Sequence, residues 1–322
     1  MGHGLCHLGR RRRNLAADSH PHGHPPAGWR PSPGPPAGGD GDSRRGTSLS
    51  ILWRLYPLIR VIALDLDDTL LRSDKTVSPE SLALLRRWRA QGHHLVIATG
   101  RPPRTVAEVL PRELFDVPWV CYNGAAIQID GRTIFQDLIP PEDTRTIVEM
   151  IQARLPDCIV GLEVDNILYL NRAIQRTSPY QVADLRRICH QPAAKILFFQ
   201  DAQFQEIMAD LRPLLQALPA STRALLSEKY NLVQILSHSA DKARALEMVV
   251  QQWGLGLEHV MAFGDDVNDV EMVRRAGLGV AVANAVAEVK AVADHITASN
   301  DEDGVAQALE ALLAGQLESG VG

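Results

Sequence analysis

Cysteine is scarce in this chain. The four present, Cys6, Cys121, Cys158 and Cys189, lie far apart and show no CxxC spacing. That pattern speaks against a disulfide framework or a zinc site and suits free thiols in a reducing cytoplasm. Long apolar runs are missing too. The best candidate, residues 49–66, is interrupted by Arg54 and Arg60, and a spanning helix needs about 20 mostly apolar residues. No membrane partner is expected. Basic residues are in short supply beyond the N-terminus. Residues 1–58 hold eight Arg against three Asp, a net of +5, while the whole chain carries −5, so the remainder carries −10. An acidic body argues against nucleic-acid binding and fits an enzyme that gathers metal-binding carboxylates.

What is present is an ordinary globular composition, 45% apolar and 22% charged over 322 residues. At roughly 100 to 200 residues per domain this suggests two domains, or one with an insertion. Residues 1–57 are expected to be a disordered extension without a catalytic role. Ten of the 24 glycines fall in residues 1–58, beside Arg10 to Arg13 and a Pro- and His-rich stretch. Such a segment buries too little apolar surface to offset its ordering entropy, and it lacks the amphipathic period of a transit peptide.

Order is expected from Leu58. Val61 to Leu64 is a short apolar run without alternation, as in a strand buried on both faces. Ser78 as N-cap, Pro79 at the first helical position and Gly92 at the end bracket a helix. His94 to Ala98 and Trp119 to Tyr122 read as further buried strands. After about Leu138 the pattern changes to helix 142–154, strands 158–164 and 167–171, helix 178–189, strand 194–199, helix 202–218 and strands 222–227 and 231–236. From Asp241 the α/β pattern returns, with an apolar stripe of Leu246, Val249, Val250 and Trp253 on a helix over 242–253, a strand from His259 to Phe263, a helix that turns Val270 and Val273 inward, and a strand from Leu278 to Val282. The fold class expected is α/β: a Rossmann-like parallel-sheet core over 58–137 and 237–322, helices on both faces, interrupted by an inserted α+β domain over 138–236.

Chemistry concentrates at the ends of the apolar strands, where open α/β sheets place their ligands. Asp65-Leu66-Asp67-Asp68-Thr69 sets three carboxylates directly after the first strand. Residues two apart on a strand share a side, so Asp65 and Asp67 converge. An acidic surface turn is the plain alternative, but carboxylates this close repel unless a cation neutralises them. A second cluster, Gly264-Asp265-Asp266-Val267-Asn268-Asp269, also follows an apolar strand. Asp265 and Asp269 share a face if that segment is helical. Oxygen donors without His or Cys point to a hard cation, Mg²⁺ before Ca²⁺. The hydroxyl of Thr99 and the backbone N–H of Gly100 can face an oxyanion, and Lys242 opens a helix whose N-terminus favours anions.

Together these four segments resemble the haloacid dehalogenase superfamily of phosphatases. The insertion between Thr99 and Lys242, the run Tyr122-Asn123-Gly124-Ala125 and the helix start Asp241 to Leu246 resemble its Cof-type members. Ala243 departs from the glycine usual after the lysine. The resemblance covers about residues 59–315 and implies Mg²⁺-dependent hydrolysis of a small phosphorylated metabolite, such as a sugar phosphate or a cofactor-related phosphate. Asp65 would be the nucleophile and Asp67 the general acid and base. The metal would be held by Asp65, the Asp67 backbone carbonyl and Asp265, with Asp269 in support. Leu66 N–H, Thr99, Gly100, Lys242 and Asn268 would hold the phosphoryl oxygens, the inserted domain would close as a cap, and Arg101 and Asn123 would contact substrate. A phosphomutase on the same core and a non-catalytic phosphate-ligand binding protein are the alternatives. Oligomeric state is not legible.

Overall fold

The structure, a computed structural model, describes residues 59–175, 178–199, 212–227 and 231–316. The expected N-terminal extension and most of the expected helix 202–218 lie outside the described residues.

The core begins with β1 (Val61–Leu64), α1 (Pro79–Ala90), β2 (His94–Ala98), α2 (Pro103–Val109) and β3 (Trp119–Cys121). All four β1 side chains are buried. Ser78 caps α1 by accepting from Ser81 N at 3.0 Å, with Pro79 at the first helical position, as its sequence predicts. A hairpin unforeseen from the sequence follows, β4 (Ala126–Ile129) and β5 (Arg132–Gln136). Its signal was the dipeptide Asp130-Gly131, whose positive φ angles of 51° and 72° suit a tight two-residue turn.

The inserted unit runs α3 (Pro141–Arg154), β6 (Ile159–Val164), β7 (Ile167–Leu170), β8 (Gln181–Val182), α4 (Leu185–Ile188), β9 (Lys195–Phe199), β10 (Thr222–Ser227) and β11 (Leu232–Ser237). The core then resumes with α5 (Lys242–Gln251), β12 (Val260–Gly264), α6 (Val270–Arg275), β13 (Leu278–Ala281), α7 (Ala287–Lys290), β14 (His295–Ile296) and α8 (Gly304–Leu313). One expectation fails: 178–189 is not one helix. Gln181 and Val182 pair in parallel with Tyr169 and Leu170 on β7, and helix starts only after Asp184, which caps Arg186 N. Pro179 and the β-branched Val182 disfavour helix there, and the open sheet edge supplies the backbone partners.

The core sheet has the order β14-β13-β12-β1-β2-β3-β4-β5, parallel from β14 to β3 and antiparallel through the hairpin. Strand period two sends Ile62 and Leu64 to one face, against Leu85 and Trp88 of α1 and Leu309 of α8, and Val61 and Ala63 to the other, against Leu246, Val249 and Val250 of α5. Because β1 lies between β12 and β2, the segments that follow these three strands emerge side by side at one end of the sheet.

The inserted sheet has the order β10-β11-β9-β6-β7-β8. On its strands Val160, Leu162, Ile196, Phe198, Val233 and Ile235 face the cap's own helices in one apolar cluster. The alternate positions, Glu163, Lys195, Leu197, Leu232 and Gln234, line a cavity shared with the core. The insertion is therefore a cap that lays one sheet face over the strand ends. Among the described residues no helix is long and apolar enough to cross a membrane.

Candidate active site

Asp65 follows β1 and is only 4% exposed. Asp265 follows β12, and the loop after it folds into a short 3₁₀ turn, Val267–Asp269, capped by Asp266. That turn carries Asp269 back toward the strand end, where its Oδ2 accepts from the backbone N of Asp265 at 3.1 Å and of Asp266 at 3.3 Å. Close approach requires glycine at 264, because a Cβ there would stand 2.3 Å from Asp269 Cβ. Asp65, Asp265 and Asp269 are all buried, and each offers a carboxylate oxygen within 4.8 Å of the others. Thr69 Oγ donates to Asp265 Oδ1 at 3.1 Å.

Lys242, at the first position of α5, reaches into this cluster. Its Nζ donates to Asp65 Oδ1 at 2.6 Å and to Asp269 Oδ1 at 2.7 Å, with the side chain fully buried. Burial works against the ammonium, but the charges of Asp269 and Asp65 outweigh it and raise the lysine above its usual range. Burial pushes the Asp65 carboxyl well up; the Lys242 charge opposes this, and the charges of Asp269 and Asp265 reinforce it. Among the described residues, Lys242 meets two of the three carboxylates. Three buried carboxylates that converge as oxygen donors, with no His or Cys among them, fit a hard divalent cation.

Asp67 plays a different part. Its side chain is not in the buried triad but lines the same cavity as Asp65. Arg101 grips it with a fork, Nε to Oδ2 at 2.6 Å and Nη2 to Oδ1 at 2.7 Å, and Lys75 adds a contact to Oδ1 at 3.2 Å. Burial pushes this carboxyl up, yet the hydrogen bonds and charge of Arg101, followed by Lys75, hold it below its ordinary value. The next residue, Asp68, has φ 58°, a left-handed turn that aspartate tolerates, and lets the chain reverse directly after Asp67.

The remaining residues singled out by the sequence gather around the cavity, whose volume is about 600 Å³. Thr99, Gly100, Arg101 and Asn268 line it. Thr99 Oγ accepts from Arg101 N at 3.1 Å. Leu66 has a fully buried side chain, and its carbonyl accepts from Thr69 N and Leu71 N, closing the turn after β1. Asn123 bridges Asn268 and Gln234. Sequence reasoning overlooked the cap's side of the cavity: Glu163, Lys195, Leu197 and Gln234. Glu163 is held by a bidentate Arg104 at 2.7 and 2.9 Å, and Ser227 Oγ on the cap donates to Asp266 Oδ2 at 2.7 Å. Polar residues inside an alternating strand were the one local hint that these positions face a site rather than a core.

A family model for haloacid dehalogenase-like hydrolases matches residues 62–309. The chain belongs to the haloacid dehalogenase-like hydrolases. This hydrolase is 29% identical over 262 residues to the 5-amino-6-(5-phospho-D-ribitylamino)uracil phosphatase YitU of Bacillus subtilis, covering 78% of this chain and 96% of the relative. It is 29% identical over 277 residues to the pyridoxal phosphate phosphatase YbhA of Escherichia coli, covering 77% and 96%. A crystal structure of a haloacid dehalogenase-like hydrolase from Bacteroides thetaiotaomicron superposes with a TM-score of 0.68 at 28% identity, covering 78% and 98%. The resemblance to the Cof-type members holds, and the hydrolase is a phosphatase.

Proposed function

We propose that this phosphatase hydrolyses phosphate monoesters of small metabolites through an aspartyl-phosphate on Asp65, with Mg²⁺ as cofactor. The observation that carries the reading is the meeting of Asp65, Asp265 and Asp269 at one buried point beside Lys242, with Asp67 on the wall of the same cavity. The relatives named for a ribityl-uracil phosphate and for pyridoxal phosphate suggest a leaving group of about one ring and a short chain, which a cavity of about 600 Å³ accommodates.

In this reading an Asp65 oxygen attacks phosphorus and the bond from phosphorus to the ester oxygen breaks. Asp67 gives its proton to the departing oxygen. It then takes a proton from water, which attacks phosphorus, breaks the bond to Asp65 and restores the carboxylate. For Asp67 to carry a proton, the Arg101 fork has to release it, and the incoming phosphate dianion is the competing acceptor for that guanidinium. Thr99, the Gly100 and Leu66 N–H groups, Lys242 and Asn268 hold the phosphoryl oxygens, supplying the positioning and charge that phosphoryl transfer demands. Mg²⁺, held by Asp65, Asp265, Asp269 and the Asp67 carbonyl, would offset the repulsion between the Asp65 anion and the phosphate. The cap closes the cavity to bulk water and sets which metabolite fits.

The test is phosphate release from a panel of metabolite monoesters, without any bisphosphate activator, by the wild type and Asp65→Asn. We expect turnover by the wild type and a loss of at least about 10³-fold in the variant, with unchanged circular dichroism. Near-normal activity in Asp65→Asn would remove the nucleophile assignment. Activity only with a bisphosphate present would favour a mutase.

A further inference from the structure

Two polar side chains on the cap have no role in the chemistry above. Lys195 on β9 is 6% exposed, and its Nζ donates to the Gly100 carbonyl at 2.9 Å and to Gln234 Oε1 at 3.0 Å. The same Gln234 oxygen, on β11, accepts from Asn123 Nδ2 at 3.2 Å. Asn123 is 1% exposed and in turn accepts, at Oδ1, from Asn268 Nδ2 at 2.9 Å. One chain of hydrogen bonds therefore runs from two cap strands, through the loop after β3, to the loop after β12.

The polarity of this chain is set from the cap end. An ammonium only donates, so Gln234 has to present its oxygen to Lys195. With that oxygen shared, Asn123 has to turn its amide nitrogen toward the cap and its oxygen toward Asn268. Asn268 must then direct its own nitrogen to Asn123. Three amides that could each sit either way round are locked into one order by the buried cation. The backbone helps: Tyr122 and Asn123 have φ 53° and 56°, a left-handed pair that holds Asn123 between the two loops.

We propose that Gln234 is a positioning residue, through which the docked cap orients Asn123 and hence the amide of Asn268 toward the phosphoryl oxygens. This rests on Asn268 being a phosphate-binding residue, as proposed above. Gln234 acts through Asn123 and need not touch the phosphate.

The experiment measures inorganic phosphate binding by titration calorimetry in magnesium buffer, and its inhibition constant against p-nitrophenyl phosphate. The proteins are the wild type, Gln234→Leu, Asn268→Ala, the double variant and Gln234→Glu. Each of the first two variants is expected to weaken phosphate about tenfold, the scale of one hydrogen bond to a charged group. The double variant is expected to be no weaker than the worse single one, because both substitutions cut the same chain. Gln234→Glu keeps an acceptor oxygen for Lys195 and Asn123 and stays within about threefold of the wild type. A space-filling side chain would give the reverse order, with the apolar leucine tolerated and the buried charge damaging. Multiplied effects in the double variant overturn the proposal. So does an unchanged phosphate constant in Gln234→Leu, or a wild type that binds no phosphate. Calorimetry needs no turnover, so a wild type that binds phosphate but hydrolyses no ester would end the phosphatase reading and leave this one standing.

Discussion

Lys242→Met gives the sharpest energetic test of how the site is held together. The substitution keeps the length and apolar stem of the lysine and removes the ammonium. Two contacts go with it, at 2.6 Å to Asp65 and 2.7 Å to Asp269, between side chains that are 0%, 6% and 1% exposed. Removing one partner of so buried a group leaves uncompensated carboxylates and costs about 3–5 kcal/mol. At about 2–4 °C per kcal/mol for a chain of this size, the midpoint of thermal unfolding falls by about 6–20 °C. The assay is urea and thermal unfolding in chelator, so that the lysine alone is read. Lys75→Met is the control. Lys75 also meets two aspartates, at 3.2 and 3.3 Å, but its side chain is 42% exposed, and solvent screening holds its contribution below about 1 kcal/mol. Equal and small losses in the two variants would refute the claim that burial makes the Lys242 pair strong.

Three more predictions follow from the same geometry. Gly124→Ala should cost at least about 2 kcal/mol in urea unfolding, because residue 124 has φ 96° and a Cβ there would stand 2.2 Å from the Asp241 carbonyl at the start of the Lys242 helix; a wild-type midpoint would contradict it. Cys121, Cys158 and Cys189 are buried, and burial raises each thiol above its ordinary range. A Cys6→Ser variant should therefore release almost no colour with a thiol reagent when native, and that of three thiols in denaturant; fast native labelling would count against the packing. Chelation should abolish phosphate release and Mg²⁺ should restore it, while full activity in chelator would reject the metal assignment.

Much of this was legible from short-range pattern. Unbroken apolar runs marked β1, β2 and β12, because a strand covered on both faces has no reason to alternate. Carboxylates placed directly after two of those runs marked the site, since like charges gather only where something neutralises them. Less was legible in the cap. The expected helix at 178–189 broke into an edge strand and a short helix because the sheet offered Gln181 and Val182 backbone partners that no local signal announces.

The sequence by itself determined the α/β pattern of the core on either side of the insertion, the strand ends that carry Asp65, Thr99 and Asp265, and the helix start that carries Lys242. Each depends on residues a few positions apart, through caps, turns and periodicity. Tertiary structure alone decided the partners. Arg101 meets Asp67 across 34 positions, Arg104 meets Glu163 across 59 and Asn123 meets Gln234 across 111. Such pairs exist because β1 lies between β2 and β12 and because one face of the cap sheet settles over them. Strand order and docking are global minima of packing, and no local stretch of chain encodes them.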